Sequence, residues 1–157
     1  VTQSRTGAPS GNCTEATIAS LLGCRLEEVP VLWSGNMNAK TLEEAQPPER
    51  LEVLNQWLEE RGLIWVNWTF AEPVAGPIAA EVYERSRGPW PNDDSPEYWL
   101  GPAFGRPHII GGFNPDGVPH FCVGMAGKVL WDPNPLRRGL ATIDSIAALF
   151  HIGGGPL

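Results

Sequence analysis

Gly11-Asn12-Cys13-Thr14-Glu15-Ala16-Thr17-Ile18-Ala19-Ser20-Leu21-Leu22-Gly23 reads as a short helix that begins at a cysteine. Ile18, Leu21 and Leu22 recur at helical spacing, with the small Ala19 between them, so most of the helix is expected to be buried. Asn12 suits the N-cap, Glu15 places a negative charge in the first turn, and Gly23 is a natural stop. A thiol at the start of a helix faces the positive end of the helix dipole and the backbone N–H groups of the first turn. Both favour the nucleophilic thiolate, and the same N–H groups suit the oxyanion of an acyl-transfer intermediate. Placement alone is a weak signal, because most single cysteines only pack.

Around this helix the chain alternates between two periodicities. Residues 1–12 are polar and glycine-rich and read as a loop, and Leu26-Glu27-Glu28-Val29-Pro30 reads as a turn or helical fragment. One helical turn fits residues 42–45. A second helix fits 48–61, with Pro48 at its first position, Leu51, Leu54, Trp57 and Leu58 as an apolar stripe, and Gly62 beyond its end. Residues 63–68 read as a strand and 77–84 as a short helix. Residues 85–105, rich in Pro, Gly, Trp and Asp, read as a long surface loop of the kind that forms a rim or lid.

The last third is rich in strands. His108-Ile109-Ile110-Gly111-Gly112-Phe113 and Pro119-His120-Phe121-Cys122-Val123-Gly124-Met125 are joined by the turn Asn114-Pro115-Asp116-Gly117. Lys128-Val129-Leu130-Trp131 follows a second turn. Residues 142–150 read as a helix capped by Thr142. The expected fold is α+β, with the N-terminal helix packed on an antiparallel sheet of roughly four to six strands. Residues 1–157 are expected to form a single domain, since this length supports one hydrophobic core.

His120 changes the weight of Cys13. Strand alternation puts it on the face opposite Phe121, where it suits a general base for the thiol. Asp132, in Trp131-Asp132-Pro133-Asn134-Pro135 at the end of the next strand, is placed to hold the imidazole in one tautomer and orientation. Aspartate before proline is also a common turn residue, and Asn134 is a less favoured third member. Cys122 shares the parity of His120, and packing is its expected role. Cys24 follows the helix stop and is expected to do no chemistry, while His108 begins a strand and His151 lies in a glycine-rich tail.

Composition narrows the function. A net charge of −7, with Arg137 and Arg138 as no more than a pair, speaks against nucleic acid as a partner. The 3 Cys are odd in number and lack a CxxC pair, which argues for free thiols in a reducing, cytoplasmic setting and against a zinc knuckle or disulfide scaffold. No apolar run is long enough to span a bilayer, so no membrane association is expected. Neither a metal nor a cofactor is implied. The 7 Trp against 2 Tyr suggest rings that line a groove, and Trp33, Trp90 and Trp99 are the candidates for substrate contact.

The block from Gly11 to Gly23, continued by Leu26-Glu27-Glu28-Val29-Pro30, resembles the N-terminal signature of small phage and bacterial proteins of the papain-like cysteine peptidase superfamily. These are related to the peptidases that process bacteriocin leaders. Residues 119–135, followed by Arg138-Gly139-Leu140, resemble the second signature, a strand histidine and then an aspartate in an Asp-Pro-x-Pro turn. The resemblance covers both ends of the chain and leaves the middle unmatched. It implies a papain-like fold, a Cys13–His120–Asp132 triad, and Gln3 as an oxyanion donor. Gln3 lies 10 positions before Cys13, so the loop between must fold back. Phe121 replaces a residue that is usually small or serine in these proteins, and Asn134 stands where histidine is common.

The implied function is a cysteine hydrolase acting on a peptide, isopeptide or amide bond of a peptide or protein substrate, in the host cytoplasm if phage-encoded. A peptidyl or acyl transferase would use the same triad. A catalytically silent module that captures a partner in the groove, or a virion assembly protein that associates through exposed Trp surfaces, would not require all three residues.

Overall fold

A computed structural model describes residues 1, 2, 4, 11–32, 34, 36, 47–75, 106–125 and 128–153, with the backbone alone at 68–75 and 128. The expected elements at 42–45, 77–84 and 85–105 lie outside the described residues, as do Gln3, Trp33, Trp90 and Trp99. The described elements are helix α1 (Cys13–Leu22), a 3-10 turn (Leu26–Glu28), helix α2 (Pro48–Glu59), and strands β1 (Leu63–Ala75), β2 (His108–Phe113), β3 (Pro119–Met125), β4 (Lys128–Trp131) and β5 (Thr142–His151). The protein is therefore a mixed α+β chain built on one antiparallel sheet of order β1-β5-β2-β3-β4.

Helix α1 begins and ends where its sequence signals place it. Gly23 takes a left-handed conformation (φ 65°) and returns its N–H to the Ala19 carbonyl, which stops the helix. Asn12 does not act as a side-chain cap, contrary to expectation. Its Oδ1 accepts instead from the Ser4 backbone N–H at 3.1 Å, and its amide donates to Ser4 Oγ at 3.1 Å. The side chain is thus used to fasten the N-terminal segment. Glu15 is buried, and its Oε1 accepts the Leu32 N–H at 3.1 Å, joining α1 to the segment that follows the 3-10 turn.

The segment 142–150 is not a helix. It forms β5, which lies between β1 and β2 and pairs with both. A strand with neighbours on both edges and cover on both faces needs no polar alternation, so its apolar run carries no clear period. Residues 145–149 are all buried. The β2–β5 register also shifts between Gly111 and Gly112, where Gly111 pairs with Ser145 and Gly112 with Ile143. Asp144 is therefore the extra residue of a bulge, and the bulge disturbs what alternation remains.

The two faces of the sheet bury separate clusters. Ile109, Ala147 and Leu149 pack with Ile18 and Ala19 of α1 and with Leu54 and Leu58 of α2, so both helices cover one face. Ile110, Ile143, Ile146 and Ala148, their neighbours along the same strands, form the other cluster. Helix α1 lies along β3, and its Thr17 hydroxyl donates to the Phe121 carbonyl at 3.2 Å. The β3–β4 register runs only from Val123 to Met125, so α1 meets β3 where its pairing with β4 has ended.

Gly112 has no room for a side chain. A Cβ there would lie 1.9 Å from the Thr142 backbone oxygen, and backbone at a bulge cannot step aside as a side chain can. Gly112 is also the β2 partner of His120. Gly112→Ala is expected to lower stability by about 1 to 3 kcal/mol, the usual range for overpacking. Urea unfolding of the variant beside wild type measures it, and an unchanged midpoint would contradict this packing.

Candidate active site

Three elements bring the chemistry together: the start of α1 carries Cys13, β3 carries His120 and Cys122, and the turn after β4 carries Asp132. All four are buried, with Cys13 8% exposed and Cys122 fully covered. His120 Nε2 lies 2.7 Å from Asp132 Oδ1. The carboxylate accepts the Nε2–H, so Nδ1 is the nitrogen left to act as a base. A ring nitrogen and the Cys122 sulfur also lie within 4.8 Å of each other.

Asp132 is itself held rigidly. Its Oδ1 also accepts the Asn134 N–H at 2.8 Å, and its Oδ2 accepts the Gly139 N–H at 2.8 Å. Gly139 has a positive φ of 65°, which a side chain would strain. Asn134 does not stand in for the aspartate, because its Oδ1 accepts the Leu136 N–H at 2.9 Å. The local turn chemistry of Asp132-Pro133-Asn134 therefore fixes the carboxylate, and the carboxylate fixes the ring. The backbone donors at Asn134 and Gly139 were not singled out from sequence, although a glycine shortly after an Asp-Pro turn was a usable signal.

The electrostatics agree with a tight ion pair. Burial opposes a charge on His120, but hydrogen bonding to Asp132, then to Cys122 and Cys13, raises its proton affinity well above the ordinary histidine range. Burial likewise opposes the Asp132 charge, yet His120 and the N–H groups of Gly139 and Asn134 hold its pKa below the usual carboxylate value. The other histidine buried in the sheet behaves in the opposite way. His108 is pushed down by burial, with Nδ1 2.9 Å from the Arg106 carbonyl, and so is kept neutral.

The remaining cysteines differ from each other. Burial raises the Cys24 thiol, with Glu28 adding to the effect, and Cys24 packs against the helix-side core. Burial also raises the Cys122 thiol, but its hydrogen bond to His120 opposes the shift. The expectation that Cys122 only packs is thus incomplete, because its sulfur lies within 4.8 Å of a His120 ring nitrogen. The parity it shares with His120 along β3 was the signal. Among the described residues all three thiols are free, and no helix is long and apolar enough to cross a membrane.

The arrangement contains a thiol, an imidazole and a carboxylate in the order needed for nucleophilic catalysis. No protein-family model matches the chain, and neither does any curated protein or solved structure.

Proposed function

We propose that this chain is a papain-like cysteine hydrolase that cleaves a peptide, isopeptide or amide bond through an acyl-enzyme on Cys13. The observation that carries the proposal is the buried His120–Asp132 pair at 2.7 Å, on the strand against which the helix opened by Cys13 packs. His108, also buried in the sheet, has a backbone carbonyl and not a carboxylate facing its Nδ1, the Arg106 oxygen at 2.9 Å. A buried ion pair is an expensive way to fill a core, and such pairs concentrate where a pKa must be shifted for chemistry.

In the proposed reaction His120 Nδ1 carries the proton of Cys13 as an imidazolium, and the thiolate left on Cys13 attacks the carbonyl carbon. The imidazolium, held by Asp132, then gives that proton to the departing amine. The backbone N–H of Cys13, with Gln3 if the N-terminal loop brings it near, stabilises the oxyanion. Water attacks the thioester with His120 again as base, and the acid product leaves. Trp33, Trp90 and Trp99 are proposed to shape the substrate groove.

Acylation by p-nitrophenyl acetate tests the proposal without knowledge of the natural substrate. The expected result is one hydroxylamine-labile acetyl group, mapped to Cys13 by peptide mass spectrometry and absent in Cys13→Ala. Acetylation spread over Cys13, Cys24 and surface amines alike would contradict it.

A further inference from the structure

The peptide that joins Asn12 to Cys13 carries the N–H that the proposed reaction uses for the oxyanion. Its carbonyl, that of Asn12, accepts the Ala16 N–H at 3.0 Å and so points along α1. In a trans peptide the N–H points the opposite way, here out of the N-terminal end of the helix. The backbone of Asn12 (φ −114°, ψ 41°) is not helical, so the helix does not set this peptide plane alone.

The side chain of Asn12 supplies a second hold on the same residue. It is buried, and it pairs with Ser4 in both directions, accepting the Ser4 N–H and donating to Ser4 Oγ, each at 3.1 Å. Asparagine is a favoured N-cap, yet Asn12 makes no side-chain cap on α1 and serves Ser4 instead. The segment that carries Ser4 is anchored again near the other end of α1. Val1 N and O lie 2.9 and 3.1 Å from Ser20 Oγ, and Val1 O accepts the Trp131 Nε1–H at 3.3 Å. Asn12 immediately precedes Cys13 and Trp131 immediately precedes Asp132, so this segment is tied to the neighbours of two members of the site.

We propose that Asn12 is a positioning residue: clasped by Ser4, it aims the Cys13 N–H at the oxyanion of the acylation step. This role rests on the proposed acyl transfer at Cys13. Asn12 acts through the peptide it shares with Cys13, so its loss weakens oxyanion binding and leaves the thiolate and its base in place.

Two reactions of the same sulfur separate these effects in the full, reduced chain. Acetylation by p-nitrophenyl acetate passes through a tetrahedral oxyanion, whereas alkylation by iodoacetamide is a direct displacement that forms none, and both need the thiolate. In Asn12→Ala, acetylation of Cys13 is expected to slow about 10- to 100-fold, while the alkylation rate and its pH profile stay as in wild type. Ser4→Ala, at an exposed position, removes one of the two bonds and should slow acetylation by a smaller factor. Ser4→Thr keeps both bonds and should acetylate as wild type does.

Unchanged acetylation in Asn12→Ala overturns this role. So does an equal slowing of both reactions, which marks a loosened fold and not a misdirected N–H. Absence of Cys13 acetylation in wild type overturns the hydrolase proposal and this role with it, so the two failures are distinguishable.

Discussion

Replacing His120 with alanine is expected to slow acetylation of Cys13 by p-nitrophenyl acetate about 10²- to 10⁴-fold at neutral pH, the usual contribution of a positioned general base. The effect is large because His120 is the proposed base for Cys13 and carries a buried carboxylate behind it. Two consequences separate catalysis from misfolding. Added imidazole should restore part of the rate, since removal of the ring leaves a space beside Cys13. His120→Gln, which fills that space and keeps a polar contact to Asp132, should remain slow while unfolding closer to wild type. Rates in both variants within a few fold of wild type, by stopped-flow absorbance, would remove the base from the mechanism.

Asp132→Asn is expected to lower both activity and stability. The carboxylate accepts three N–H groups, from His120, Asn134 and Gly139. An amide offers one oxygen and one NH₂, so either Oδ1 or Oδ2 becomes a donor facing another donor. The unpaired His120 is then left buried, and breaking one side of a buried pair costs about 3 to 5 kcal/mol. The acylation rate should fall by roughly 10²- to 10⁴-fold, because the ring loses the acceptor that sets its tautomer.

The stability difference should depend on pH in a defined direction. Asp132 is shifted down, so its contribution is complete above its unfolded pKa, about 3.9, and is lost as pH falls through the lower folded value. His120 is shifted up, so its contribution is complete below about 6.5 and is lost as pH rises through its raised folded value. Wild type should therefore exceed Asp132→Asn most between roughly pH 4 and 6.5 and lose that advantage on stronger acidification. Urea unfolding across this range measures it, and a gap that stays constant into acid would contradict the ion pair.

Where signals were local, the sequence was legible. Cys13–Leu22 carries its own stop at Gly23, and β2, β3 and β4 are set apart by turn residues, with Asn114 accepting the N–H groups of Asp116 and Val118. The candidate site follows from the same elements, because adjacent antiparallel strands and one turn suffice to place Asp132 beside His120. What was lost depends on tertiary context. Thr142–His151 is apolar over residues 145–149 because these are buried in a strand paired on both edges, and Thr142 at its start with the paired alanines imitates a capped helix. Asn12 was misassigned because its side chain answers to Ser4, eight residues away, and not to the helix it precedes. The share of Cys122 in the site depends on α1 lying along β3, a packing relation that no period along either segment encodes.

The most direct test of the central claim is competitive alkylation of the three thiols in one native sample, reduced and metal-free, at neutral pH. Cys24 and Cys122 are internal references, since burial disfavours the thiolate at both. A limiting dose of iodoacetamide followed by peptide mass spectrometry is predicted to label Cys13 at least about tenfold faster than either, with the advantage abolished in His120→Ala. Labelling of Cys13 no faster than Cys24, or a preference that survives the His120 substitution, would contradict a nucleophile activated by this imidazole.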